Sequence, residues 1–265
     1  MYFKLKYNIS LLLLFLFLSC DEIQVEDLLS DFSTDNIPLT TLNTLNATYN
    51  SSSVSISWAG NEYANSFSYR LEPLSYTDTV KTYARWSNWD TLKTVTFTNL
   101  DDGNYNFHIK SRFTVENEEI SQSVNFIVDA IAGPALRMYP LYQRVSPGEI
   151  FNMYIYIEDV VDLGGLELHL SYPPTVSTMT SGTILSSAAI FYYTINSTDG
   201  TMELIATAEN FTGYTGSGVL AKLTLSALST GLDTLHINDS SILRNSGNVQ
   251  IDILDRVYGL IEVVE

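Results

Sequence analysis

Three histidines, one cysteine and 30 carboxylates are the side chains with which this 265-residue chain could do chemistry. His108, His169 and His236 stand far apart, each inside an alternating, strand-like stretch. No H-x-x-H or H-E-x-x-H spacing puts two imidazoles on one face for a metal. His169 therefore reads as an exposed strand histidine and not as a ligand. The lone cysteine, Cys20, allows neither a disulfide framework nor a thiolate zinc site. A G-x-S-x-G elbow and a phosphate-binding loop are both absent from the sequence. Thirty acids leave many pairs that could flank a glycosidic bond, but no spacing singles one out. Asn238-Asp239-Ser240 lacks the D-x-D-x-D-G alternation of a calcium loop. The expectation is a protein that is not an enzyme, with no cofactor and no metal.

Charge narrows the partners. Thirteen Lys and Arg against 30 Asp and Glu give a net charge of −17. Nucleic acid is excluded as an expected partner, because phosphate binding needs clustered bases. Hydrophobic residues make up 45%, enough for a sizeable core, and the length suits two domains of ordinary size. Seventeen Tyr and 12 Phe favour strands over helices.

The first 19 residues read as an address. Lys4 and Lys6 precede an apolar run from Ile9 to Leu18. A run of ten is half of what a spanning helix needs, so the segment reads as a secretory signal. Leu18-Ser19-Cys20 resembles the lipobox of bacterial lipoproteins, with Phe17 in place of the usual Leu. That resemblance implies cleavage before Cys20 and lipidation of Cys20, which would hold the chain to a membrane. Residues 20–37 carry Asp21, Glu22, Glu26, Asp27, Asp31 and Asp35 and no base. Such a segment repels itself and stays extended, so it reads as an acidic tether. Acidic residues straight after the lipidated Cys also resemble a surface-export signal of Bacteroidetes-type lipoproteins. The implied location is the cell envelope, lipid-anchored in the outer membrane and facing outward.

Two strand-rich stretches follow. In residues 38–128, Val54, Ile56 and Trp58 alternate with serines, and Phe67, Tyr69 and Leu71 repeat the pattern. The run Leu100-Asp101-Asp102-Gly103-Asn104-Tyr105-Asn106-Phe107 resembles the tyrosine corner of a fibronectin type III domain, with Tyr105 at the corner and Trp58 as the core tryptophan. With Tyr69-Arg70-Leu71 and Trp86-Ser87-Asn88-Trp89 it is also similar to the triple-tyrosine domain of sensor ectodomains. Residues 129–135, with Gly133-Pro134, read as a linker. In residues 136–265 the alternation resumes, punctuated by Gly and Pro, and gives eight or nine strands. The fold class is all-β, two β-sandwiches in tandem: an immunoglobulin-like, fibronectin type III-like domain and then a jelly roll.

The second stretch resembles a cohesin domain, the receptor half of the cohesin–dockerin pair. The resemblance rests on five blocks in order: Pro147-Gly148-Glu149; Asp159-Val160-Val161-Asp162-Leu163-Gly164-Gly165-Leu166; Leu168-His169-Leu170-Ser171-Tyr172-Pro173; Ala208-Glu209-Asn210 through Thr215-Gly216-Ser217-Gly218-Val219-Leu220-Ala221-Lys222-Leu223; and Gly259-Leu260-Ile261-Glu262-Val263. Where the family has Asp after the Tyr, this chain has Pro173. The resemblance implies a non-catalytic module that docks a dockerin-like protein on one flat sheet face. The partner-binding residues it points to are Glu167, His169, Leu204, Ala206 and Glu209. The competing reading buries Leu204 and Ala206 in the core and leaves Glu167 solvated. The implied partner would be a dockerin-bearing polysaccharide-degrading enzyme.

A second function class stays open. Related sandwiches bind polysaccharide directly by stacking exposed rings on sugars. Tyr154, Tyr156 and Tyr192 are the candidates for such glycan stacking, with Trp86 and Trp89 in the first domain.

Overall fold

Period-two alternation governs the chain, and among the described residues the regular elements are all strands. The computed structural model describes residues 37–265 apart from 75–84, 115–117, 173–175, 183, 185–187 and 209–211. The signal segment, Cys20, the tether up to residue 36 and Glu209 lie outside the described residues.

The first sandwich comprises β1 (Thr40–Leu42), β2 (Thr48–Tyr49), β3 (Val54–Gly60), β4 (Ser66–Pro73), β5 (Thr94–Phe97), β6 (Gly103–Arg112) and β7 (Gln122–Val128). They form a sheet β1-β3-β5 and a sheet β2-β7-β6-β4. Inward residues of both fill one core. Trp58 is 3% exposed and packs its ring against Phe67, Tyr69 and Phe107 at 5.7–6.0 Å between centroids. Tyr105 donates its hydroxyl to the backbone oxygen of Asp101 at 2.8 Å, the bond expected of a corner tyrosine. Glu119 is buried, yet its carboxylate accepts from the Thr40 amide and hydroxyl, the Ser111 amide and hydroxyl, and Gln122. Neutral donors on three strands thus offset its desolvation.

The second sandwich comprises β8 (Ala135–Tyr139), β9 (Tyr142–Val145), β10 (Ile150–Ser171), β11 (Val176–Ser181), β12 (Ala188–Asn196), β13 (Thr201–Ala208), β14 (Tyr214–Ser226), β15 (Gly231–Ile237), β16 (Ile242–Asn245), β17 (Gln250–Ile251), β18 (Asp255–Val257) and β19 (Gly259–Val263). That is more than the eight or nine expected, because short edge strands such as β17 and β18 carry little alternation to read. Conversely, the two strands expected around residues 151–157 and 166–171 are one, β10. Its first half pairs with β14 and β8. After register shifts between Ile157 and Leu163 its second half pairs with β13 and β16. Met153, Ile155 and Ile157 from the first half and Leu166, Leu168 and Leu170 from the second enter the same core.

The stretch read as a linker is bonded down. Asp102 accepts from the amides of Ala130 and Ile131 at 2.8 and 3.1 Å. Ile131, Ala135 and Leu141 form a small core of their own. Gly133 passes so close to β10 that a Cβ would stand 2.2 Å from the Glu158 carbonyl oxygen. Next to this lies Arg137, 1% exposed. Its Nε donates to Glu158 at 2.7 Å and its Nη1 to Asp101, in the first sandwich, at 3.1 Å. The guanidinium also sits over the Tyr156 ring at 4.4 Å. Asp101 accepts a further bond, from the Leu141 amide at 3.0 Å.

One guanidinium between two buried carboxylates leaves an excess negative charge. Burial pushes the Asp101 carboxyl up to about 7, and Arg137 and the Leu141 N–H only partly offset it. The folded value lies above the unfolded 3.8, so the folded chain holds more protons between the two. The contribution is fully present below the unfolded value and is lost as pH rises through the folded one. Asp101→Asn, which mimics the protonated acid, is expected to lose less stability than the parent between about pH 4 and pH 7 in urea unfolding. Parallel curves would show that Asp101 ionises as an ordinary acid. Arg137→Met, which strands both carboxylates, is expected to cost about 3–5 kcal/mol.

Candidate functional site

Four antiparallel strands in the order β16-β10-β13-β12 form one outward face of the second sandwich. Cross-strand partners share a face, so the register fixes what is displayed. One row runs Ile242, Glu167, Ile205, Tyr192. The next runs His169, Glu203, Thr194. On the other side lie Arg244, Gly165, Thr207 and Ile190. Tyr192 and Ile190 are 54% and 53% exposed.

The same register corrects two expectations. Leu204 pairs with Leu168, and Ala206 with Leu166, whose side chains point into the core. Leu204 and Ala206 are therefore interior, at 0% and 1% exposed, and cannot touch a partner. Ile205 takes their place on the surface, flanked by Glu203 and Thr207. A parity signal was present in Thr201-Met202-Glu203-Leu204-Ile205-Ala206-Thr207: the polar residues share the odd positions with Ile205.

Glu167 and His169 lie on the face, as expected, half-exposed and joined by a 3.0 Å contact from His169 Nε2 to Glu167 Oε1. The His169 backbone is held by the turn before β16. Its amide donates to Ser241 Oγ at 3.0 Å, and its carbonyl accepts from the Asn238 amide at 2.7 Å. Gly164 lets β16 come close, since a Cβ there would meet the Asn245 backbone at 2.8 Å. A cavity of about 370 Å³ opens over this corner, lined among others by Gly165, Glu167, Ile205, Thr207, Ile242 and Arg244. The arrangement is an apolar group interrupted by the Glu167 carboxylate, with Glu203 and the Arg244 guanidinium in the rows on either side. It offers burial and hydrogen bonds to a docked surface.

The glycan candidates do not line up. Tyr154 and Tyr156 belong to the other layer and pack against Tyr139 at 6.1 and 6.2 Å, with Tyr156 also under Arg137. Trp86 and Trp89 lie against cations: Lys110 at 4.7 and 5.1 Å, Arg70 over Trp86 and Arg112 over Trp89. Tyr192 is on the β16-β10-β13-β12 face, where its immediate neighbours Phe191 and Tyr193 turn into the core.

Residues 143–261 match the family model of the cohesin domain. The matched segment contains the whole β16-β10-β13-β12 face. No protein of curated function matches the chain in sequence. Among solved structures, a non-cellulosomal cohesin from the archaeon Archaeoglobus fulgidus is 16% identical, covers 49% of this chain and 91% of its own, and superposes with a TM-score of 0.43. The third cohesin of ScaC, in complex with the ScaB dockerin, from Acetivibrio cellulolyticus is 19% identical over 49% of this chain and 99% of its own, with a TM-score of 0.43. The sixth cohesin of scaffoldin B from Acetivibrio cellulolyticus, in complex with the Cel5 dockerin, is 14% identical over 50% and 100%, with a TM-score of 0.44.

Substitution at neighbouring positions of β13 tests which residues face outward. Leu204→Ala is expected to cost about 2–5 kcal/mol in urea unfolding, as core truncations do. Ile205→Thr, which stays β-branched, is expected to cost under about 1 kcal/mol. Equal losses would mean that both faces of β13 are covered.

Proposed function

We propose that the chain is a non-catalytic binding protein whose β16-β10-β13-β12 face docks a protein partner. The observation that carries this is the apolar group of half-buried Ile205 and exposed Tyr192 and Ile190, with Glu167 between Ile205 and half-buried Ile242 and with Glu203 in the next row, inside the segment matched as a cohesin domain. An apolar group of this kind on an open sheet calls for a covering surface. Cohesins as a family capture dockerins, so the partner of choice is a dockerin-bearing enzyme of polysaccharide breakdown.

The first sandwich, read as fibronectin type III-like, would serve as a spacer. Lipidation at Cys20 and the acidic tether would hold the molecule at the outer membrane, facing outward. Anchoring raises the local concentration of whatever is captured without adding a contact. Direct carbohydrate binding is the lesser reading, because among the described residues the candidate rings form no row.

Immobilised full-length chain probed with a panel of calcium-loaded dockerin modules tests the docking reading. At least one is expected to bind. Glu167→Lys with Ile205→Arg is expected to abolish that binding while leaving the thermal midpoint nearly unchanged. Absence of any dockerin binding, together with retention on a glycan array that Tyr192→Ala removes, would replace the reading with the carbohydrate one. Separately, Cys20→Ser is expected to abolish palmitate labelling and move the protein from the membrane to the soluble fraction.

A further inference from the structure

We propose that Glu167, His169 and Glu203 form a binding site for a borderline divalent cation of the zinc class. One donor atom from each lies within 4.8 Å of the others, and this is the one such group of three among the described residues. Two adjacent strands supply the donors. Glu167 and His169 are two apart on β10 and so share its outer face, and Glu203 on β13 is the register partner of His169.

The geometry is close to that of a coordination sphere. Donors about 2.1 Å from a tetrahedral ion stand about 3.4 Å apart. The Glu167–His169 edge already measures 3.0 Å. Among the described residues the Glu203 carboxylate makes no hydrogen bond or ion pair, so turning it inward breaks none. All three side chains are half-exposed, which leaves a path for the ion. Two carboxylates and a neutral imidazole sum to the charge that a dication cancels.

The donor set selects the class of ion. Calcium and magnesium take all-oxygen shells, whereas an imidazole nitrogen beside carboxylates suits zinc. Three protein donors leave a fourth position open. A cavity of about 390 Å³, lined by Thr194, Asn196 and Asn238 as well as His169 and Glu203, adjoins the cluster. Water would fill that position, or a carboxylate or imidazole of a docked molecule. Linear spacing alone argued against a metal here. The E-x-H pair becomes a ligand set only when the sheet brings Glu203 alongside.

The cluster carries this inference by itself and does not need the face to dock a protein. The test is a titration of the full chain with zinc chloride alone by isothermal calorimetry, on a Cys20→Ser background so that no thiol contributes. One saturable ion per chain is expected. His169→Ala and Glu203→Gln are each expected to weaken it by about tenfold or more, at least as much as loss of an outer-shell partner costs. Their metal-free thermal midpoints should match the parent. Cobalt in place of zinc should give a visible d–d absorption that His169→Ala abolishes. No saturable binding, or equal affinity in the parent and in the Glu203→Gln chain, would overturn the proposal.

Discussion

Asp159 and Asp162 hold left-handed backbone angles, φ 48° and 59°, inside a strand that would otherwise run straight for 22 residues. Asp is among the few non-glycine residues that tolerate this region, because its short side chain can bond locally. Partners keep both in place. The Asp159 amide donates to Ser217 Oγ, which itself donates to the Asp159 carboxylate. The Asp162 amide donates to Thr215 Oγ, and its carboxylate accepts from Ser246 Oγ. The Asp-rich block of β10 and the Thr-Gly-Ser-Gly block of β14 are therefore one device. Together they build two bulges between the half of β10 that pairs with β14 and β8 and the half that pairs with β13 and β16, and the bulges bend the strand. Without that bend, Leu166, Leu168 and Leu170 would not reach the core that Met153, Ile155 and Ile157 enter.

The bend also separates two tasks along one strand. Before it, Tyr154, Tyr156 and Glu158 point away from the second core, and Glu158 shares the buried Arg137 with Asp101 of the first sandwich. After it, Glu167 and His169 face outward on the opposite layer, beside Glu203 and Ile205. The joint to the first sandwich and the proposed docking face thus draw on different halves of β10 and do not compete for surface. The joint is costly in electrostatic terms, since a buried ion pair seldom stabilises more than an apolar contact would. What it provides is a specific orientation, because a guanidinium shared by two carboxylates and two ring faces has few alternative geometries.

Much of this was legible in the sequence, and what was not has a common cause. Trp58 and Tyr105 stand in the first core as their motif implied, since that motif encodes a local turn and a short-range bond. The inward set of β10 was readable from alternation, because Glu167 and His169 are polar and their neighbours are not. On β13 the reading failed at Leu204 and Ala206: Ile205 puts an apolar residue among the polar odd positions, so the local pattern marks the outer face only weakly, and pairing with Leu168 and Leu166 assigns it. Arg137 gave no signal at all. Its partners are 21 and 36 residues away, and a single Arg in an apolar stretch looks like any surface cation. Pairing between strands is long-range information, and both misses fall where local pattern is ambiguous.

Charge on the proposed face follows from contacts and not from the chain's total. At physiological salt, screening acts over about 8 Å, so a net charge of −17 says little about a docked group. Within that range the face carries Glu167 and Glu203 against Arg244, set off to one side across Gly165. Metal-free, such a surface favours donors: ammonium, guanidinium and amide groups that satisfy the carboxylates while apolar side chains cover Ile205 and Tyr192. A bound dication would reverse this locally, since both carboxylates would be spent on the ion and its open position would seek an acceptor. The same four strands would then discriminate between partners by the sign of one side chain, with the apolar group supplying affinity in either case.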